Sequence, residues 1–279
     1  MHLGVQLPTA GVTWPTLAEA ARRVEALGYD SLWIPDHLLA WEEGVSRLEA
    51  WQVLGALATV TSRIALGPLV SPVTFRPPVV LANMAVTLDH TSGGRAILGL
   101  GAGGMEEEHR RFGLPFGSSG ERAGRLEEGV RTIHARLDSG TPRPVQARLP
   151  ILIGGAGQRT LAIAASYADM WNAILRPPEF SEKAAALRSL AAARGRDVMA
   201  TASFRVIVRE RREQIEERLA ELHPVWREDA YRVEGTVAEV TIRLREYVQA
   251  GAKGLIVQMP APVDFETLER LAGDIRVAV

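Results

Sequence analysis

The chain has 279 residues, 47% of them apolar and 23% charged, with a formal net charge of −1. That balance describes a compact soluble globule of one or two domains, and single α/β barrels commonly have this length. Cysteine is absent, which excludes disulfide scaffolds, thiolate zinc sites, iron–sulfur clusters and cysteine nucleophiles; the balanced charge without a basic block argues against nucleic acid as the main partner.

The N-terminal run MHLGVQLPTAG has neither a basic n-region nor a long apolar h-region. No apolar run approaches about 18 residues, so the sequence reads as soluble and cytoplasmic, with no membrane partner. Short apolar runs at 3–7, 31–35, 64–69, 96–101, 151–154, 170–173, 202–208 and 254–259 lack polar alternation, as expected of parallel strands buried on both faces. Between them the apolar spacing shifts to the helical period, as in Leu17, Ala20, Ala21, Val24 and Leu27, closed by Gly28. Helices are expected at 16–27, 48–59, 78–88, 120–137, 158–168, 181–194, 210–222, 237–250 and 265–275. This alternation favours a closed TIM (β/α)8 barrel over an open doubly wound sheet, in one domain covering 1–279. The interval between the fourth and fifth strands, roughly 50 residues, is longer than a plain barrel unit needs. It carries FGLPFGSSG and TPRPVQARLP around one amphipathic helix, so 113–149 is read as an insertion at the barrel mouth, with a second expansion at 223–235.

Active sites of such barrels lie where strands end and the following loops begin. The second strand ends in IPDHLLAW, which puts Asp36, His37 and Trp41 at one edge. Asp36 would orient the His37 ring, and His37 would act as an acid or base or hydrogen-bond a polar cofactor edge; the plainer alternative is a turn-capping Asp beside a surface His. The Pro-rich LGPLVSPVTFRPP after the third strand suggests either a bulge that supports a flat ligand or a rigid turn before the helix at Pro78.

Gly99, Gly101 and Gly104 formally match a dinucleotide fingerprint, yet Glu106, Glu107 and Glu108 follow where a pyrophosphate needs positive potential. Glycine here suits a bulky ring lying against backbone, with Gly101 and Gly103 as candidates; the glutamates read as favourable charges at a helix start, one of them a candidate to face the pocket. Gly154, Gly155, Ala156 and Gly157 precede a helix with no early acidic residue and with Arg159 in its first turn. Either this is a phosphate cradle or a simple Gly-rich turn. His2, His90, His109, His134 and His223 show no metal-ligand spacing, so no metal site is expected and these residues read as structural or exposed.

Taken together, GYDSLWIPDHLLAW, SRIALGPLVSPVTFRPPVVLANMAVTLDHTSGGRAILGLGAG, PILIGGAGQRTLAIAASYADMWN and EGTVAEVTIRLREYVQAGAKGLIV resemble the luciferase-like monooxygenase superfamily over almost the whole chain, and within it the F-420-dependent oxidoreductases. The resemblance implies a TIM-like barrel that binds the 5-deazaflavin F-420, or alternatively FMN, at the carboxyl ends of the strands. It further implies Asp36, His37 and Trp41 near ring and substrate, Leu69, Val70 and Ser71 in a bulge behind the ring with a non-proline cis peptide at Leu69–Val70, and Gly154 and Gly155 at the phosphate. Relatives that oxidise sugar phosphates carry a glutamate where this chain has Gly104, which weakens that particular activity unless Glu106 or Glu107 substitutes. The implied function is hydride transfer between F-420 and a small organic substrate. The alternatives are a two-component FMN monooxygenase using oxygen, a flavin- or deazaflavin-binding protein without turnover, and a phosphate-substrate barrel without redox chemistry. A homodimer stays open.

Overall fold

Leu32, Trp33 and Ile34 point to alternate faces of their strand, yet all three are fully buried. This is the signature of a parallel strand with packed side chains inside and helices outside. The computed structural model describes residues 1–40 and 43–278. Its strands are β1 (His2–Gln6), β2 (Ser31–Ile34), β3 (Ala65–Pro68), β4 (Ser71–Pro72), β5 (Leu98–Gly101), β6 (Ile151–Gly154), β7 (Met170–Ala173), β8 (Met199–Val208), β9 (Val233–Gly235) and β10 (Gly254–Gln258). Its helices are α1 (Trp14–Ala26), α2 (Ala50–Val60), α3 (Pro78–Ser92), α4 (Glu106–Arg111), α5 (Ser119–Ser139), α6 (Gln158–Tyr167), α7 (Pro177–Ala192), α8 (Arg212–Glu221), α9 (Pro224–Arg227), α10 (Val237–Gln249) and α11 (Phe265–Arg270), the last running into a π-helical turn at Leu271–Ile275.

The strands run in the order β3-β2-β1-β10-β8-β7-β6-β5-β4, with β9 pairing in parallel alongside the last residues of β8. The ring closes between β3 and β5, where Leu66 N–H donates to Arg95 O at 2.9 Å and Ile97 N–H donates to Leu66 O at 2.8 Å. Backbones approach so closely at this seam that a Cβ on Gly99 would lie 2.0 Å from Pro68 O, which requires glycine at that position. The barrel expected from the alternation is therefore present.

Trp33, Ile97, Leu152, Met170 and Ile256 fill the barrel interior, while a larger apolar layer joins the outer strand face to the helices. Helix starts follow local chemistry: Ser118 and Glu121 form a capping box on α5, and Thr236 and Glu239 do so on α10. The α5 helix lies against α3 and α6, so the amphipathic helix within 113–149 takes the ordinary place of a barrel helix. Extra material at the mouth is α4 with its flanking loops. The short elements β4, α4, α9 and β9 escape a periodicity reading because each covers only two to six residues.

Candidate active site

Gln6, Gln258 and Arg205 occupy matching register positions on adjacent strands β1, β10 and β8, so all three side chains point to the same face. That face is the inner mouth of the barrel, and the three line a cavity of about 440 Å³. The remaining wall includes Pro35, His37 and Ala40 after β2, Arg47, Leu69 after β3, and Val225 and Trp226 of α9. The cavity thus sits at the carboxyl ends of the strands, where barrel chemistry is built, and the expanded segment at 223–235 supplies part of its cover. Below it, Asn172, Thr201 and Ser203 form a buried polar cluster, with Asn172 Nδ2 donating to Thr201 Oγ1 at 3.0 Å and to Ser203 Oγ at 2.8 Å.

His37 reaches this wall with a third of its side chain exposed, and its Nδ1 lies 3.0 Å from Glu108 Oε2. Glu108 is otherwise enclosed. Its Oε1 accepts from the Leu38 and Leu39 amides at 2.7 and 2.9 Å. Burial pushes the Glu108 carboxyl upward, but hydrogen bonds from His37, Leu39 and Leu38 outweigh it and hold the group below the ordinary carboxylate range. An ionised carboxylate only accepts, so Nδ1 carries the proton and, in the neutral ring, Nε2 is the basic nitrogen. Of the three consecutive glutamates, Glu106 and Glu107 are exposed and Glu108 is the inward one. The available signal was helical spacing, since Met105, Glu108 and His109 share one face.

Asp36 does not take the expected place beside His37. Its Oδ2 accepts from Ser71 Oγ at 2.6 Å and Arg76 Nη1 at 2.7 Å, and its Oδ1 accepts from Arg76 Nη2 at 3.2 Å. Trp51 Nε1 donates to Ser71 Oγ at 2.9 Å, and Arg76 also bonds Glu49 at 2.6 Å. Successive residues leaving a strand face opposite ways, which sends Asp36 behind the wall while His37 stays on it. The Asp36 network ties the end of β2 to the loop after β3. In that loop the Leu69–Val70 peptide is cis, as the resemblance implied. Leu69 faces the cavity and its carbonyl accepts from Gln6 Nε2 at 2.9 Å, whereas Ser71 is buried in the network. Trp41 lies outside the described residues.

The other expected residues lie off this cavity, on the β5–β6 side of the mouth. Val70 Cγ2 would be 2.6 Å from a Cβ on Gly101, and Val70 Cγ1 3.0 Å from a Cβ on Gly154, so these glycines admit the Val70 side chain rather than leaving backbone bare for a ring. Gly103 packs against Thr74 and His109 and its carbonyl accepts from Arg122 Nε. Gly155 turns with φ +124, and its N–H already donates to Asn172 O at 2.9 Å, so it is not itself an anion donor. Ala156 and Gly157 lead into α6, whose N-terminus has no side-chain cap and no acidic residue in its first turn. Arg159 is half exposed and pairs with Glu127 at 3.1 Å and Gly120 O at 3.2 Å. The sequence reading missed Gln6, Arg47, Arg205, Gln258 and Trp226. A polar residue closing each of the apolar runs LGVQ and LIVQ was the visible sign for the two glutamines.

His109 is buried between Phe75 and Phe116, with Nε2 at 2.7 Å from Thr74 Oγ1, a structural role. Among the described residues no group of three or more His, Asp or Glu could hold a metal ion, and no helix is long and apolar enough to cross a membrane.

The model of the family described as luciferase-like monooxygenase matches residues 1–256. An uncharacterized protein of Mycobacterium tuberculosis is 30% identical over 230 residues, covering 71% of this chain and 80% of the relative. Another protein of that organism, described as a coenzyme F-420-dependent oxidoreductase, is 30% identical over 207 residues, covering 65% of this chain and 57% of its own. Among solved structures, the coenzyme F-420 dependent tetrahydromethanopterin reductase of Methanopyrus kandleri superposes with a TM-score of 0.82 at 20% identity, covering 99% and 98% of the two chains.

Proposed function

The chain belongs to the luciferase-like monooxygenase family and is an oxidoreductase, and we propose that it is an F-420-dependent enzyme passing a hydride to or from a small organic substrate. The observation that carries this reading is His37, held on the cavity wall by an ionised, buried Glu108 and facing the same 440 Å³ space as the Leu69 bulge. The residues present fit a deazaflavin or flavin. The loop held by Asp36 and Ser71 offers a fixed backbone shelf at Leu69 and Val70, and the uncapped amides that open α6 suit a phosphate. When bound, the cofactor supplies the hydride donor or acceptor.

The chain's own residues orient the substrate and manage one proton. In the oxidative direction His37 Nε2 takes the hydroxyl proton as hydride leaves the adjacent carbon; in the reductive direction the protonated ring returns it to the carbonyl oxygen. Glu108 stabilises the imidazolium in both. Asp36 is a positioning residue for the shelf. Glu106 and Glu107 are exposed and do not line the cavity, so neither replaces the acid that Gly104 lacks, and sugar-phosphate oxidation is not proposed.

The reading is tested by titrating the purified protein with F-420 and with FMN, then following anaerobic F-420 absorbance with candidate alcohols and carbonyl compounds. Tighter F-420 binding with substrate-dependent bleaching or recovery is expected. Preference for FMN with oxygen uptake by the reduced flavin would instead favour a two-component monooxygenase, and binding without turnover a non-catalytic protein.

A further inference from the structure

The described wall of the cavity contains two guanidinium groups, from Arg47 and Arg205, together with His37, His223, Gln6 and Gln258, and no carboxylate among the described residues. Arg205 is held by Asp229 and by its neighbours on the wall. Its Nη1 lies 3.2 Å from Asp229 Oδ2 and donates to the Val225 carbonyl, and the guanidinium stacks over the Trp226 ring at 4.4 Å. Among the described residues its Nε and Nη2 have no hydrogen-bond partner, though only 17% of the side chain is exposed. Arg47 is similar: Nε donates to Leu39 O at 2.8 Å and Nη1 to Thr9 Oγ1 at 2.9 Å, leaving Nη2 without a described partner.

We propose that this cavity selects a substrate carrying a carboxylate, received by Arg205 with Arg47 as a second cation on the wall. A planar guanidinium with two unspent, adjacent N–H groups matches the two oxygens of a carboxylate. Both arginines are pushed downward in pKa, first by burial, so each has lost hydration that an arriving anion would replace. The cofactor's phosphate is a competing source of negative charge, but the α6 N-terminus that suits it does not line this cavity. The proposal rests on the oxidoreductase reading of the same cavity for its chemistry, not for its binding test.

That test uses calorimetric titration of the cofactor-free protein with isosteric pairs: benzoate against benzamide, and phenylacetate against phenylacetamide, with inorganic phosphate as a third probe. At least one carboxylate should bind roughly 10-fold or more tightly than its amide. Arg205→Met should erase that preference and Arg205→Lys should retain part of it. Three results would overturn the proposal: no carboxylate preferred over its amide, phosphate bound more tightly than any carboxylate, or Arg205→Met weakening cofactor binding while the carboxylate preference persists. A protein that prefers carboxylates but binds neither cofactor would refute the function proposed above and leave this inference standing.

Discussion

Glu108, on a short helix after β5, reaches His37 after β2, with 3.0 Å between Oε2 and Nδ1 across 71 positions of sequence. The pair fixes which imidazole nitrogen is basic. In Glu108→Gln the amide can still accept from Leu38 and Leu39, but its NH2 would donate to His37 and move the ring proton to Nε2. Turnover should fall on the order of 100-fold with KM little changed, and the pH profile should lose its basic-group limb. Steady-state kinetics across pH would check it; an unchanged profile would remove Glu108 from proton handling.

Asp36 is 2% exposed and paired with Arg76 and Ser71. Asp36→Asn leaves the Arg76 guanidinium with Glu49 as its one charged partner among the described residues and replaces charge-assisted hydrogen bonds by neutral ones, a loss of about 2 kcal/mol. Urea denaturation should show a lower midpoint with the slope retained. Since the network holds the bulge, cofactor affinity should drop in the same variant, while a milder Ser71→Ala change should show both effects at smaller size.

Gly101 makes room for Val70. Gly101→Ala places a methyl 2.6 Å from Val70 Cγ2, an overpacking worth about 1–3 kcal/mol. Adding Val70→Ala should recover much of that loss, giving a coupling energy that a double-mutant cycle would read. Additive effects would show that the two side chains do not compete for the same space.

Glu25 joins α1 to the start of β3 by accepting from the amides of Ser62, Arg63 and Ile64 at 2.7 to 3.0 Å. Burial opposes ionisation, but those amides hold the carboxyl down at about 2 from an ordinary 4.5. A depressed folded-state pKa gives stability that is complete above about 4.5 and lost as pH falls through 2. Thermal melts of wild type and Glu25→Gln should therefore differ near neutrality and converge at low pH. The gap should be about 1 kcal/mol, because the carboxylate is partly exposed and screened. A constant gap across that window would contradict the assignment.

The barrel was legible in sequence because burial on both strand faces leaves a local record. The runs at 151–154 and 170–173 coincide with β6 and β7, and most helices differ from their expected bounds by one to four residues. His37 and Leu69 were legible too, since a strand end marks a mouth. What the linear order could not show is which distant groups meet there. Asp36 adjoins His37 in sequence but faces Ser71, while Glu108 sits inside a run of three glutamates that looks like helix-start charge. Gly101 and Gly154 looked like ligand-facing backbone and instead receive Val70. Arg205, Gln258 and Gln6 become one wall only because parallel register stacks β8, β10 and β1 at the same level. Periodicity reports which face of an element is buried; partner choice depends on register, turn direction and barrel closure, which are properties of the assembled chain.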